Sequence, residues 1–392
     1  MSSRHLLVLL ALGVLGCDGR TDPDAGGTDG GVTDAGSTDA SSTDAARPDG
    51  ATPDDAGPPG DGGPPVDAGP ATAPGVRWVG RYDDADPSAV RMSWSGSGFV
   101  VRFRGTGARV TMNGAGQYFT VVVDGEVQPT LAVSGASGTY DLATGLADAE
   151  HTVEVYRRTE GFFGVTVITA VEVDGELLGV PVSGRRIEVV GDSISCGYGV
   201  DGPDQFCSFS AETENHYLTY GARAARALDA ELSTVAWSGK GVIFNYGTDT
   251  VEPLPTLYDR VIADEAGSTG TIRPADAVVV NLGTNDFSTD GDPTEGQFVP
   301  AYVGLLEQIR ARHPDAVILC TVGPPLGADD MSRARSYIES AIAMRNTAGD
   351  ARVSWIDVDG SGDLGCDWHP GPSTQAMMAD DVIAALRAEL GW

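Results

Sequence analysis

A buried strand that stops abruptly at a glycine constrains this chain more than any other feature. Ile187, Val189 and Val190 form a β-branched run that meets Gly191-Asp192-Ser193 and continues Ile-Ser-Cys-Gly-Tyr-Gly to Val200. An apolar run of this kind bounded by a turn signal reads as a strand within a core. A second such run, Ala277 to Val280, leads into Asn281-Leu282-Gly283-Thr284-Asn285-Asp286. Further strand patterns lie at 233–237, 316–321 and 353–357, and helical patterns at 215–228, 300–312, 331–347 and 373–390. This alternation predicts a three-layer α/β/α domain with a mostly parallel sheet over residues 183–392. In such sheets, sites form at the carboxyl ends of the strands. A serine presented there becomes a nucleophile only with a base to take its proton and donors to receive the developing oxyanion.

The chain offers both. His369 stands in Asp367-Trp368-His369-Pro370, and Ser238-Gly239-Lys240-Gly241 follows a strand pattern. Taken singly, these strings are weak: Gly-Asp-Ser often marks only a strand-to-loop turn, and Gly239 by itself reads as a turn glycine. Four blocks in this order are far more specific. They resemble the SGNH (GDSL-type) hydrolases and, within them, the two-domain acetyl esterases of carbohydrate esterase family 2, over residues 75–392.

The resemblance implies Ser193 as nucleophile and His369 as base, with the N–H groups of Ser193 and Gly239 and the amide of Asn285 as the oxyanion hole. It leaves the third triad member open. The common SGNH pattern has an aspartate three residues before the histidine, where this chain has Cys366. Either Asp367 orients the imidazole or a backbone carbonyl does so, leaving a Ser-His dyad of the kind known in the family. Trp368 is a candidate to stack on a sugar face, with simple packing as its bland alternative; Tyr198 and Trp237 are weaker substrate-binding candidates. Asp192 and Asp286 read as structural residues that hold loops through backbone N–H groups.

Residues 1–17 carry Arg4, an apolar run from Leu6 to Leu15, and Val-Leu-Gly-Cys17, the pattern of a lipoprotein signal peptide with Cys17 lipidated. From 18 to 72 the chain repeats Thr-Asp among Pro, Gly, Ala and Ser, and holds twelve Asp against Arg20 and Arg47. Such a segment buries too little apolar surface to fold and reads as a disordered acidic tether. It lacks the ligand spacing of an EF-hand loop. It carries about ten of the 31 net negative charges, and the remainder is still acidic. Nucleic acid, which requires a clustered basic surface, is therefore not an expected partner. The expectation is an exported protein, periplasmic or at the cell surface, touching membrane only through its anchor, and monomeric. Besides Cys17 there are Cys196, Cys207, Cys320 and Cys366, enough for two disulfides in three pairings, of which Cys196 with Cys207 is favoured. With no Cys-x-x-Cys pair, zinc is not expected, nor any other metal or cofactor.

Residues 73–182 are rich in Val, Thr, Gly and aromatics, with alternating runs at 90–94, 99–104, 118–123, 151–157 and 165–173 and hairpin signals at Asp124-Gly125 and Asp174-Gly175. They predict an all-β jelly-roll sandwich preceding the α/β domain, and family-two esterases carry such a domain. Trp78, Tyr82, Trp94, Phe119, Phe162 and Phe163 are glycan-platform candidates but read first as core.

The expected function is a serine esterase acting on O-acetylated carbohydrate such as acetyl-xylan or acetyl-glucomannan. The alternatives are a deacetylase of cell-wall or exopolysaccharide glycan and an inactive surface glycan-binding protein. Lipase action ranks lower because no long apolar lid flanks the serine. A histidine base predicts activity rising through a pKa near about 6.5.

Overall fold

The computed structural model describes residues 72–73 and 75–392. The signal peptide, Cys17 and all but the last residue of the tether lie outside the described residues. No helix among the described residues is long and apolar enough to cross a membrane.

The first part is all antiparallel. Its spine is the long strand Gly98–Asn113, whose first half pairs with Ala149–Arg157 and whose second half pairs with Gly138–Ala143. Strand Thr166–Leu178 runs along the other side of this spine. Alternation drives the geometry: Phe99, Val101 and Phe103 point inward with Val110, Met112, Phe119, Val121, Val153 and Val155 to form a dry core. Asp124 and Gly125, at φ 51° and 84°, make the expected tight turn between Gln117–Val123 and Glu126–Val127. Asp174-Gly175 is not a turn. The strand runs straight through it with a register shift opposite Gly105, and Gly175 is required because a Cβ there would sit 2.0 Å from the carbonyl oxygen of Arg104.

The second part is a five-stranded, wholly parallel sheet in the order Ala230–Ala236, Arg185–Gly191, Ala277–Asn281, Val317–Thr321, Val353–Trp355. Helices cover both faces, with one core built on Val190, Val278 and Leu306 and another on Val189, Val279 and Val382. Strand order reverses beside Arg185–Gly191, which places the crevice at its carboxyl end. Element edges moved where local chemistry competes. The helix expected from residue 300 begins at Glu295, because Gln297 reaches back to accept the Thr294 N–H at 3.0 Å. Pro300 is therefore inside the helix rather than at its start.

The two parts form one folded unit. Arg81, from the sandwich, donates to the Glu188 carboxylate at 2.9 Å in the middle of the parallel sheet, where Tyr258 and His313 also bond Glu188 at 2.8 and 3.0 Å. Burial alone would raise the Glu188 carboxyl, but Arg81 and His313 outweigh it and hold it down to about 2. Trp94 joins the α/β core, bonds the Arg260 carbonyl at 3.1 Å and meets Trp237 edge-on. Replacing Arg81 by Met leaves a buried carboxylate without its cation. We expect Arg81→Met to lose about 3–5 kcal/mol in urea unfolding; a loss under about 1 kcal/mol would show that this bridge does not hold the two parts together.

Candidate active site

Gly191 ends its strand against a wall: a Cβ would lie 2.0 Å from Ser195 Oγ, so only glycine lets the chain turn here. The turn opens the short helix Ser193–Cys196, whose N-cap Asp192 accepts the Ile194 N–H at 3.0 Å. Burial pushes the Asp192 carboxyl up to about 7. Gln375, which carried no signal in the sequence, braces this helix by donating to the Ile194 carbonyl at 2.9 Å while accepting the Tyr220 N–H.

Ser193 Oγ lies 2.9 Å from His369 Nε2. On the other side of the ring, Nδ1 lies 3.0 Å from the main-chain carbonyl oxygen of Asp367. A carbonyl only accepts, so Nδ1 carries the hydrogen, Nε2 is the free base, and the serine hydroxyl donates to it. The Asp367 carboxylate is not the orienting group. Its Oδ2 accepts from the Tyr198 hydroxyl at 2.9 Å and from the Phe209 N–H at 3.0 Å. Asp367 and Trp368 adopt left-handed backbones, φ 50° and 64°, which turn the peptide carbonyl toward the ring. Such geometry at two non-glycine residues leaves no trace in spacing or composition.

Tyr198 packs against the imidazole, centroids 4.1 Å apart, and stacks on Phe209 at 3.9 Å. Placed as a substrate contact by sequence, it serves as a wall for His369. Trp368 is 40% exposed and meets Phe206, itself 75% exposed, edge-on at 5.6 Å. Trp237 sits against Trp94 and Gly161 where sandwich and sheet meet.

The disulfide also differs from expectation. Cys207 bonds Cys366, while Cys196 and Cys320 are free and buried. Cys196 ends the serine helix facing Glu160 and Glu214, whereas the 207 loop folds back over the histidine loop. The Cys366 and Asp367 N–H groups bond the Gly199 and Cys207 carbonyls, both at 3.0 Å. The bridge thus fastens the base's loop to the nucleophile's.

Asn285, from helix Thr284–Phe287, donates to the Lys240 carbonyl at 2.9 Å beside Gly239, whose φ is 78°. Among the described residues the N–H groups of Ser193 and Gly239 have no protein acceptor. Asp286 collects the N–H groups of Val242, Ile243 and Phe244 at 2.8, 2.8 and 2.9 Å, holding the loop after Gly239 as the sequence suggested.

A Ser-His pair at the carboxyl end of a parallel sheet, beside unengaged amides, defines the GDSL-type hydrolase class. Residues 189–382 match the GDSL-like Lipase/Acylhydrolase family and residues 78–181 the Carbohydrate esterase 2 N-terminal family. A family two carbohydrate esterase from Clostridium thermocellum, solved in complex with cellohexaose, is 36% identical, with a TM-score of 0.78, over 81% of this chain and 100% of that one. The chain belongs to carbohydrate esterase family 2. It is 37% identical to the Cellulase/esterase CelE of Acetivibrio thermocellus over 330 residues, which is 81% of this chain but spans only 40% of CelE. It is 27% identical, over 82% of its length and 91% of the relative's, to an acetylxylan esterase / glucomannan deacetylase of Cellvibrio japonicus.

Partial burial of the imidazole, which the Asp367 carbonyl and carboxylate oppose, pushes His369 down to about 4, not the ordinary value expected from sequence. The base therefore stays neutral through mildly acidic pH. The sign for stability is opposite: unfolded His369 binds a proton near about 6.5 that the folded site refuses until about 4, so this group costs stability as pH falls across that window. A pH profile of kcat/KM should show its acid limb near 4; a limb at about 6.5 would mean a solvated imidazole. Asp367→Asn should lower kcat by less than about tenfold, where loss of a true triad aspartate costs about 10⁴-fold.

Proposed function

We propose that the chain is a serine esterase that removes O-acetyl groups from carbohydrate, with acetylated xylan or glucomannan as substrate class. The observation that carries this is the 2.9 Å bond from Ser193 to an imidazole whose far nitrogen is pinned by a carbonyl. Membership of a carbohydrate esterase family and likeness to the acetylxylan esterases / glucomannan deacetylases of Cellvibrio japonicus support the substrate class.

In this mechanism His369 Nε2 takes the Ser193 proton as Oγ attacks the acetyl carbonyl carbon. The resulting imidazolium is held at Nδ1 by the Asp367 carbonyl. The oxyanion accepts from the N–H groups of Ser193 and Gly239 and from the Asn285 amide, each such donor being worth about 2.7–4 kcal/mol in the transition state. His369 then gives its proton to the departing sugar oxygen, leaving acetyl-Ser193. Water, deprotonated by the same nitrogen, attacks this ester; acetate leaves and the serine recovers its hydrogen. The exposed Trp368–Phe206 pair beside the base supplies a flat apolar face for a sugar ring. Export as a lipoprotein through Cys17 would place this chemistry at a membrane surface.

Full-length protein should release acetate from acetylated xylan and glucomannan, and Ser193→Ala should lose at least about 10³-fold. Release from peptidoglycan alone would reassign the substrate to cell-wall glycan. No release anywhere, with glycan binding intact, would make the chain a binding protein.

A further inference from the structure

The Ser238-Gly239 corner supplies one oxyanion donor, yet its own polar groups are held from another part of the chain. The Ser238 N–H donates to Glu160 Oε2 at 2.6 Å, and the Ser238 hydroxyl donates to Glu160 Oε1. Glu160 belongs to the sandwich side. It lies just beyond strand Ala149–Arg157 and caps the 3-10 turn Gly161–Phe163. It is wholly buried. Its own backbone is fixed at both ends: Arg157 Nη2 donates to its carbonyl at 2.9 Å, and its N–H donates to Glu214 Oε2 at 3.2 Å.

We propose that Glu160 is a positioning residue for the oxyanion hole: by gripping both polar groups of Ser238 it aims the neighbouring Gly239 N–H at the reacting carbonyl. This rests on the serine-esterase reading above. The two Ser238 donors favour the ionised form of Glu160, whereas burial opposes a lone charge. The surroundings resolve this. Glu214 and Cys196, both buried, place their polar atoms within 4.8 Å of Glu160 and of each other. Burial raises both carboxyls, Glu214 further than Glu160, so of the two it is Glu160, facing the Ser238 donors, that gives up its proton more readily. Gly239 is held from two sides. At φ 78°, its carbonyl is held by the Tyr246 N–H at 2.8 Å, and the peptide on its N–H side is the one that the Glu160 contacts to Ser238 steady.

The test compares Glu160→Gln and Ser238→Ala with wild type on 4-nitrophenyl acetate, which bypasses polymer specificity. Gln keeps the size of Glu160 but turns a donor toward a donor. We expect kcat to fall about 100-fold with KM within about threefold, and affinity for a phenylboronic acid, which mimics the tetrahedral adduct, to fall in parallel. Ser238→Ala, which removes only the hydroxyl contact, should lose about tenfold. The double variant should be no worse than Glu160→Gln alone, because both act along one path. Unchanged kcat in folded Glu160→Gln or in Ser238→Ala would overturn the proposal. So would a loss confined to KM, or one that follows the fraction unfolded. The rate at which a fluorophosphonate labels Ser193 separates the two readings. Wild-type labelling without deacetylation would overturn the substrate class while still testing Glu160. No labelling would overturn both.

Discussion

One hydrogen bond, from the Ser193 hydroxyl to His369 Nε2, depends on a peptide carbonyl behind the ring. A carbonyl is a weaker partner for an imidazolium than a carboxylate, but it cannot take up the proton, and its direction is set by backbone rather than by a rotamer. The cost moves into the loop. Asp367 and Trp368 must hold left-handed conformations, and the loop is tied down on three sides: by the Cys207–Cys366 bridge, by bonds to Gly199 and Cys207, and by the Asp367 carboxylate gripping Tyr198 and Phe209. The aspartate beside the histidine is thus a fastener for the loop whose carbonyl does the orienting.

That division of labour also separates what could be read from the sequence from what could not. Ser193, Gly239, Asn285 and His369 were legible because each follows its own strand signature and the four keep a fixed order. The sheet was legible for the same reason: apolar runs such as Val278–Val280 have few alternatives to burial in a sheet. The orienting group stayed open between the Asp367 carboxylate and a backbone carbonyl, because the choice depends on two φ angles that no residue type announces. The cysteines did mislead. Cys196 and Cys207 are near in sequence, but a helix buries one and a returning loop brings the other to Cys366, 159 residues away.

Glu160 and Gln375 were missed for a different reason. Each acts across the fold, one on Ser238 from the sandwich and one on the serine helix from the last helix. Long-range pairs between single residues carry no periodicity. Turn chemistry was similarly ambiguous: Asp-Gly makes a hairpin at 124–125 and a bulge at 174–175, and only the partner strand decides which.

Thr72–Ala73 pairs antiparallel with Val180–Pro181, so the strand that enters the sandwich lies against the strand that leaves it. Arg185, where the strand that leads to Ser193 begins, is only four residues beyond Pro181. A pull applied to the chain ahead of Thr72 would then be borne by this small clamp and passed to the sheet, with the sandwich bypassed as a closed loop. In mechanical terms the covalent path of force enters and leaves the sandwich at one corner, beside the clamp, rather than running through its length.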